Sequence, residues 1–158
     1  MRRNDREIKS RAEILAVLIK CDVIHLGINT PDYPYVVPMN YGIDTEGDSI
    51  TLWFHSAPEG IKLDRINKDH RVGFEADCSH NLIVGEKACS FTMEYESVVG
   101  CGNMSIPGDS DSKRRGLQSI MRHYATNEVF SFTDSELAAV YVLRLDVMQI
   151  TGKRLSVS

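Results

Sequence analysis

The sequence lacks a long hydrophobic run near its start. The longest early run, residues 14 to 19, is far too short to span a bilayer. The opening letters "MRRNDREIKS" place acidic residues where a signal peptide requires an apolar stretch. We therefore expect no membrane association and a location in the cytoplasm.

Paired cysteine motifs are also missing. The four cysteines, at positions 21, 78, 89 and 101, form no C-x-x-C pair and no regular framework, which predicts reduced and mostly buried thiols. Cys78 and His80, with His70 nearby, match no zinc spacing, so no metal site is predicted.

The standard nucleotide-binding motifs are absent as well. Neither a P-loop nor a G-x-G-x-x-G turn after a strand occurs. The formal charge of -4 gives no reason to expect nucleic acid as a partner. The basic residues of the first eleven positions are interleaved with Asp5 and Glu7, which favours a solvated arm, with phosphate contact as the alternative. No serine, histidine and acid grouping with a nucleophile elbow points to a hydrolase.

What remains is typical of one soluble globular domain. The chain has 158 residues, of which 42% are hydrophobic and 25% charged. No repeat or linker divides it, so we expect a single domain over residues 1–158.

The pattern of branched and aromatic residues predicts six strands, at 23–29, 35–43, 49–55, 71–76, 88–101 and 140–150. Turn residues in "TPDY" and "DTEGD" join the first three strands as hairpins. Glycines in "GCGN", at the end of the longest strand, ease the bends that a barrel wall requires. We therefore predict a mainly β fold, a six-stranded antiparallel barrel with peripheral helices.

Helical spacing or capping patterns predict helices at 10–20, 57–67 and 111–125 and a helical turn from Thr133 to Glu136. The second of these follows the stretch "FHSAPEGIK", residues 54 to 62, where Ser56 and Glu59 form a capping-box pattern. A helix N-terminus is a natural seat for a phosphate, Gly60 would allow close approach, and Lys62 supplies a cation. The alternative is a capped surface helix with Lys62 in water, which the local pattern by itself favours.

His55, at the end of the predicted third strand, also has two interpretations. A histidine in that position is commonly a hydrogen-bonded structural residue. Beside an anion-binding helix start it would instead donate to a ligand or exchange protons near neutral pH.

Several segments together closely resemble the pyridoxamine 5'-phosphate oxidase-like flavoproteins, in particular their nitroimidazole-resistance-related branch. They are "PDYPYVVPMNYGI", "LWFHSAPEGIKLDRI", "RVGFEADC", "KACSFTMEYESVVGCG" and the terminal "ITGK". The likeness covers almost the whole chain, in the same order.

This resemblance implies a split β-barrel that binds flavin mononucleotide (FMN) at a homodimer interface. It implies that one strand segment runs along the flavin largely through backbone groups, namely Val37, Pro38, Met39 and Asn40. It also implies that the next strand end and helix start approach the ring and the phosphate through Phe54, His55, Ser56 and Lys62. The resemblance further implies that a polar position on the long strand, near Tyr95 to Ser97, faces the cofactor.

The family resemblance predicts an FMN-dependent oxidoreductase that acts on a small molecule such as a nitroaromatic, with His55 as the candidate catalytic proton donor. The chain has Ile61 and Lys62 where enzymes that oxidise pyridoxamine phosphate carry an Arg-Lys pair, which weakens vitamin B6 oxidation as the activity. Two alternatives stay open. One is a non-catalytic module that holds flavin or heme, and the other is a dimeric interaction domain without a cofactor.

Overall fold

The computed structural model describes residues 4–125 and 128–156, which fold around one sheet of eight strands. The strands are β1 Glu7–Ile8, β2 Ile24–Ile28, β3 Tyr35–Met39, β4 Gly42–Glu46, β5 Ser49–Ser56, β6 Arg71–Ile83, β7 Thr92–Ser105 and β8 Tyr141–Leu155. The helices are α1 Arg11–Lys20, α2 Ile61–Lys68, α3 Ser110–Tyr124 and α4 Asp134–Ala138. Short 3-10 turns lie at Asn4–Arg6 and Ala88–Ser90.

The sheet is entirely antiparallel and curls into a split barrel. Its strand order is β3-β2-β6-β7-β8-β5-β4, with β1 paired to β8. β3 and β4 stand at opposite ends of this order, yet only Asn40 and Tyr41 connect them. Since three residue steps span at most about 11 Å, the two ends of the sheet must come together. The barrel is split because β3 and β4 are not hydrogen-bonded neighbours.

The predicted mainly β fold and split barrel are confirmed, but the prediction of six strands is wrong. The segment 35–43 is two strands, because the chain leaves one end of the sheet after Met39 and enters the other end at Gly42. β1 was missed because its two residues are too few for a sequence pattern, and it forms by pairing with Lys153 and Gly152 of β8. β6 and β8 run beyond their predicted ends, and β7 is shifted from 88–101 to Thr92–Ser105.

The helix predictions are confirmed except at α2. The capping box of Thr133 and Glu136 forms at the start of α4. Ser10 precedes α1 without a side-chain cap bond, and α3 is capped by Asp109 through Ser112 N. Within the described ranges, none of the helices is long and apolar enough to cross a membrane.

The core lies inside the barrel, and the two faces of β7 show which side is inside. Val98 and Met104 are buried, whereas Val99 and Cys101 on the other face are exposed. The expectation of mostly buried thiols is therefore wrong: Cys21 is buried, Cys78 is half-buried, and Cys89 and Cys101 are exposed. All four are free thiols.

Candidate functional site

The end of β3 and the end of β5 meet at one end of the barrel. β5 runs antiparallel to β4, with Gly42 opposite Trp53, so its last residues extend past the start of β4 toward residues 39 to 41. The rings of Tyr41 and Phe54 confirm this proximity, since their centroids are 6.4 Å apart. The barrel thus joins the segments "VVPMN" and "FHSAPEGIK", which are fourteen or more residues apart in the chain.

Ser56 does not cap a helix, which corrects the prediction made from the sequence. It is the last residue of β5 and pairs with Tyr141 of β8. Its buried hydroxyl donates to the carbonyl of Ala57 over 2.8 Å. The capping box with Glu59 is absent, because the β5–β8 ladder continues through Ser56 and the helix begins only at Ile61.

Gly60 is the residue that precedes α2. Its φ of +136° lies in a region that L side chains rarely adopt, and a Cβ built there would meet nothing within 4 Å. The first N–H groups of a helix have no acceptor within it, and the helix dipole makes this end positive. Lys62, in the first turn, is partly exposed. The features that favour anion binding are therefore present at this helix start. The residue that precedes the helix is Gly60, four residues later in the chain than the predicted Ser56.

Phe54 and His55 point to opposite sides of β5. The Phe54 side chain is fully buried in the core, so it supports this end of the barrel from within. His55 is exposed.

The β3 segment alternates in the same way. Val37 and Met39 pack against the core, while Pro38 and Asn40 are exposed, and the Asn40 amide Nδ2 donates to the carbonyl of Asp22 over 3.4 Å. β3 ends the strand order and pairs only with β2, so the backbone groups on its other edge face the split. These backbone groups are available for hydrogen bonds to a flat ligand.

Tyr95 and Ser97 line a cavity of about 570 Å³ on the outer face of β6, β7 and β8. Its other lining residues are Glu75, Val99, Thr151 and Lys153. The register explains the grouping, because Val99 pairs with Glu75 on one side and with Thr151 on the other. Sequence reasoning did not single out Glu75, Thr151 and Lys153, although the quoted segments "RVGFEADC" and "ITGK" contain them.

The predicted site residues therefore form two groups within one chain. The cavity with Tyr95 and Ser97 contains none of the predicted residues of β3, β5 or α2. Going around the barrel, Ser97 is separated from the β3 segment by β6 and β2. Three strand spacings of about 4.8 Å put Ser97 roughly 14 Å from the β3 segment along the surface.

Glu75 and Lys153 are ionisable residues of this outer-face cavity. Burial and the neighbouring charge of Asp77 raise the pKa of Glu75, and these effects outweigh the opposing effect of His25. Lys153 lies on the same face and lines the cavity with Glu75.

An antiparallel sheet whose two end strands, β3 and β4, meet without hydrogen-bonding defines the class of the split-barrel proteins. The family model for pyridoxamine 5'-phosphate oxidase matches residues 10–154, and the chain belongs to this family. None of the curated proteins matches it.

Solved structures share this fold. A candidate 5-nitroimidazole antibiotic resistance protein from Bacteroides thetaiotaomicron is 34% identical, with a TM-score of 0.81 over 94% of this chain and 86% of that one. The flavocytochrome Anf3 from Azotobacter vinelandii has a TM-score of 0.83 at 18% identity, over 99% of this chain and 72% of that one. An FAD and heme binding protein from Mycobacterium smegmatis has a TM-score of 0.80 at 18% identity, over 96% and 74%. The last two show the fold alone.

Proposed function

We propose that this protein binds FMN and is an oxidoreductase that acts on a small molecule such as a nitroaromatic. The observation that carries the proposal is the meeting of the open β3 edge with the β5–α2 connection at one end of the barrel. The family membership and the likeness to a candidate nitroimidazole resistance protein support it.

The residues present fit a flavin phosphate at the start of α2. The open space at Gly60 admits a phosphate to the helix N-terminus, and Lys62 supplies a positive charge there. This charge-assisted contact replaces the Arg-Lys pair of enzymes that act on pyridoxamine phosphate. Oxidation of vitamin B6 is for that reason not part of the proposal.

The residues of β3 fit the flat part of the ligand. Backbone groups from Val37 to Asn40 would orient the ring, and Pro38 contributes only a carbonyl because it has no N–H. Exposed His55 lies at this end of the barrel and carries an imidazole, so it is the candidate proton donor. When bound, FMN supplies the electron transfer itself.

We propose that Tyr95 and Ser97 take part in the flavin site of a homodimer. Because their cavity is separated from the β3 and β5 ends within one chain, they would reach the flavin from a second copy. The exposed apolar residues on this outer face, which include Val99 and Met148, are suited to such an interface.

Binding of FMN to the purified protein tests the cofactor. We expect a bound flavin absorption spectrum and a thermal transition that rises with added FMN. A protein that neither takes up nor is stabilised by FMN would overturn the proposal. Bound flavin that a nicotinamide donor reduces and a nitroaromatic reoxidises supports the enzyme, whereas bound flavin without turnover supports the non-catalytic module instead.

The variant Lys62→Ala tests the phosphate seat. Loss of a charge-assisted contact worth about 1.5–3 kcal/mol predicts FMN binding weaker by about 10- to 150-fold, measured by fluorescence titration. Lys68→Ala is the matched control, because it removes the same charge from the exposed far end of α2. Equal FMN affinity in both variants would remove Lys62 from the site.

A further inference from the structure

A histidine and two carboxylates converge on the outer face of the barrel, at the junction of β2 and β6. His25 pairs directly with Glu75 across the ladder, and its Nδ1 lies 3.4 Å from a Glu75 carboxylate oxygen. Asp77 is two residues beyond Glu75 and so lies on the same face. One ligand atom from each of the three lies within 4.8 Å of the others.

A second histidine is turned toward this cluster by an irregularity in β6. In a regular strand, residues 77 and 80 would point to opposite faces. Ser79 adopts a φ of +62°, and the β6–β7 register shifts between Cys78 and Asn81. As a result the His80 Nε2 lies 2.5 Å from an Asp77 carboxylate oxygen. Bulges that re-aim a side chain in this way are concentrated next to functional sites.

The donor set determines which cation fits. An imidazole nitrogen with two carboxylates suits borderline ions such as Zn²⁺, whereas Mg²⁺ and Ca²⁺ prefer oxygen ligands alone. Zinc bonds of about 2.0–2.2 Å hold tetrahedral ligand atoms roughly 3.5 Å apart, so the cluster needs to contract by about 1 Å. His25 and Glu75 have side chains that are 45% and 40% exposed, and rotation about their χ angles supplies this movement.

We propose that His25, Glu75 and Asp77 form a binding site for a divalent transition-metal ion of the zinc class, with His80 as the hydrogen-bonding partner that orients Asp77. Carboxylates that bind a metal ion are commonly oriented by a hydrogen bond from a second residue that does not touch the metal. Three protein ligands leave a coordination position for water or for an anionic group in the neighbouring cavity, which Glu75 also lines.

The nearby Lys153 belongs to β8 and not to the two strands that supply the cluster. Lys153 pairs with Ser97, which in turn pairs with Asp77, so two strand spacings of about 4.8 Å separate the backbones of Lys153 and Asp77. The site needs neither FMN nor the dimer, because all its ligands come from two neighbouring strands of one chain.

Calorimetry tests the proposal. Zinc chloride is titrated into the chelator-treated, tag-free full chain in the absence of FMN, and the heat of binding is measured. We expect one ion per chain, no competition from excess magnesium, and a visible absorption band when cobalt replaces zinc. His25→Ala and Asp77→Asn are each expected to weaken zinc binding by at least about tenfold, and His80→Ala by about 10- to 100-fold.

His70→Ala is the control, since it removes an exposed histidine outside the cluster and is expected to leave zinc binding unchanged. Far-UV circular dichroism of each variant checks the fold. Absence of zinc binding, or equal affinity in His25→Ala, Asp77→Asn and the unmodified protein, would overturn the proposal. Since FMN is left out, failure here leaves the flavin proposal standing, and failure of flavin binding leaves this one standing.

Discussion

Glu96 is a single residue whose carboxylate contacts three separate parts of the structure. Its side chain is 13% exposed and accepts from Lys20 Nζ at 2.8 Å, Ser79 Oγ at 2.8 Å and Arg154 Nε at 2.6 Å. It therefore connects α1, the β6 irregularity and the end of β8. These contacts, of which the Lys20 hydrogen bond is the largest, lower the pKa of Glu96 to about 2.

Because the pKa of Glu96 is lower in the folded state, its contribution to stability is present above about pH 4.5 and is lost as the pH falls toward 2. We predict that Glu96→Gln lowers the free energy of unfolding at pH 7 by roughly 1–2 kcal/mol, after allowance for the exposed Lys20. Urea unfolding at pH 7 and pH 3 measures this. The difference between variant and unmodified protein should shrink at pH 3.

Glu86→Gln, on the exposed connection between β6 and β7, is the matched control and should change the free energy of unfolding by less than about 0.5 kcal/mol. A Glu96→Gln protein as stable as the control at pH 7 would contradict the prediction.

At the scale of elements, α3 is attached to the barrel through Asp44 of β4. The Asp44 carboxylate accepts from Arg115 and Arg122 of α3 at 2.7 Å each, from Ser119 at 3.0 Å and from Trp53 Nε1 at 3.1 Å. Burial alone would raise the pKa of Asp44, but these hydrogen bonds outweigh it and hold the pKa below its usual value.

The backbones of α3 and β4 also lie very close to each other at Gly42. A Cβ at Gly42 would come within 2.3 Å of the Ile120 backbone nitrogen, so only glycine permits α3 to lie this close to β4.

Removal of the Asp44 carboxylate leaves buried donors of Trp53 and Ser119 without their acceptor. We predict that Asp44→Ala lowers the free energy of unfolding by about 2–4 kcal/mol, measured by chemical denaturation. Asp146→Ala is the control, because Asp146 also pairs with an arginine, Arg144, but its side chain is 48% exposed. That change should cost about 1 kcal/mol or less. Equal losses in the two variants would argue against the role of Asp44.

At the scale of the whole molecule, the outer face of the barrel is the surface that we propose for a second copy of the chain. Val36, Val99 and Met148 are 61%, 52% and 67% exposed, respectively. Gly27 and Gly73 pair with each other on the same sheet, and a Cβ on either would meet only backbone oxygens at 3.7 and 3.9 Å. These residues give the outer face an apolar part that allows close approach.

Light scattering of the unmodified protein should give twice the mass of one chain, and Val99→Lys should shift the population toward the monomer by placing a charge in the apolar contact. Ile19→Lys on α1 is the control, since Ile19 is 65% exposed and lies away from this face. A monomer mass for the unmodified protein at working concentration would reject the dimer and, with it, the role of Tyr95 and Ser97 in a shared flavin site.

The stretch "FHSAPEGIK" shows where prediction from sequence succeeds and where it stops. Lys62 and Gly60 were identified from local chemistry, and both lie at the start of α2. Ser56 was assigned to the helix because its spacing from Glu59 matches a capping box. The competing β5–β8 ladder, which involves residues about ninety positions away, holds Ser56 in the strand instead.

The outer-face cluster could not be predicted in the same way. His25 and Glu75 are fifty residues apart, and only the β2–β6 register makes them neighbours. His80 faces Asp77 only because of the irregularity at Ser79, and no local sequence pattern predicts that irregularity.

The sequence by itself determined the mainly β character, three of the four helices and the family, because these depend on local periodicity, turn chemistry and quoted motifs. The tertiary structure alone decided the number of strands, the approach of the two ends of the sheet through Asn40 and Tyr41, and which face of β7 is buried. It also decided which charged groups meet. Strand pairing over long separations sets these features, and the energy of that pairing is absent from any short stretch of sequence.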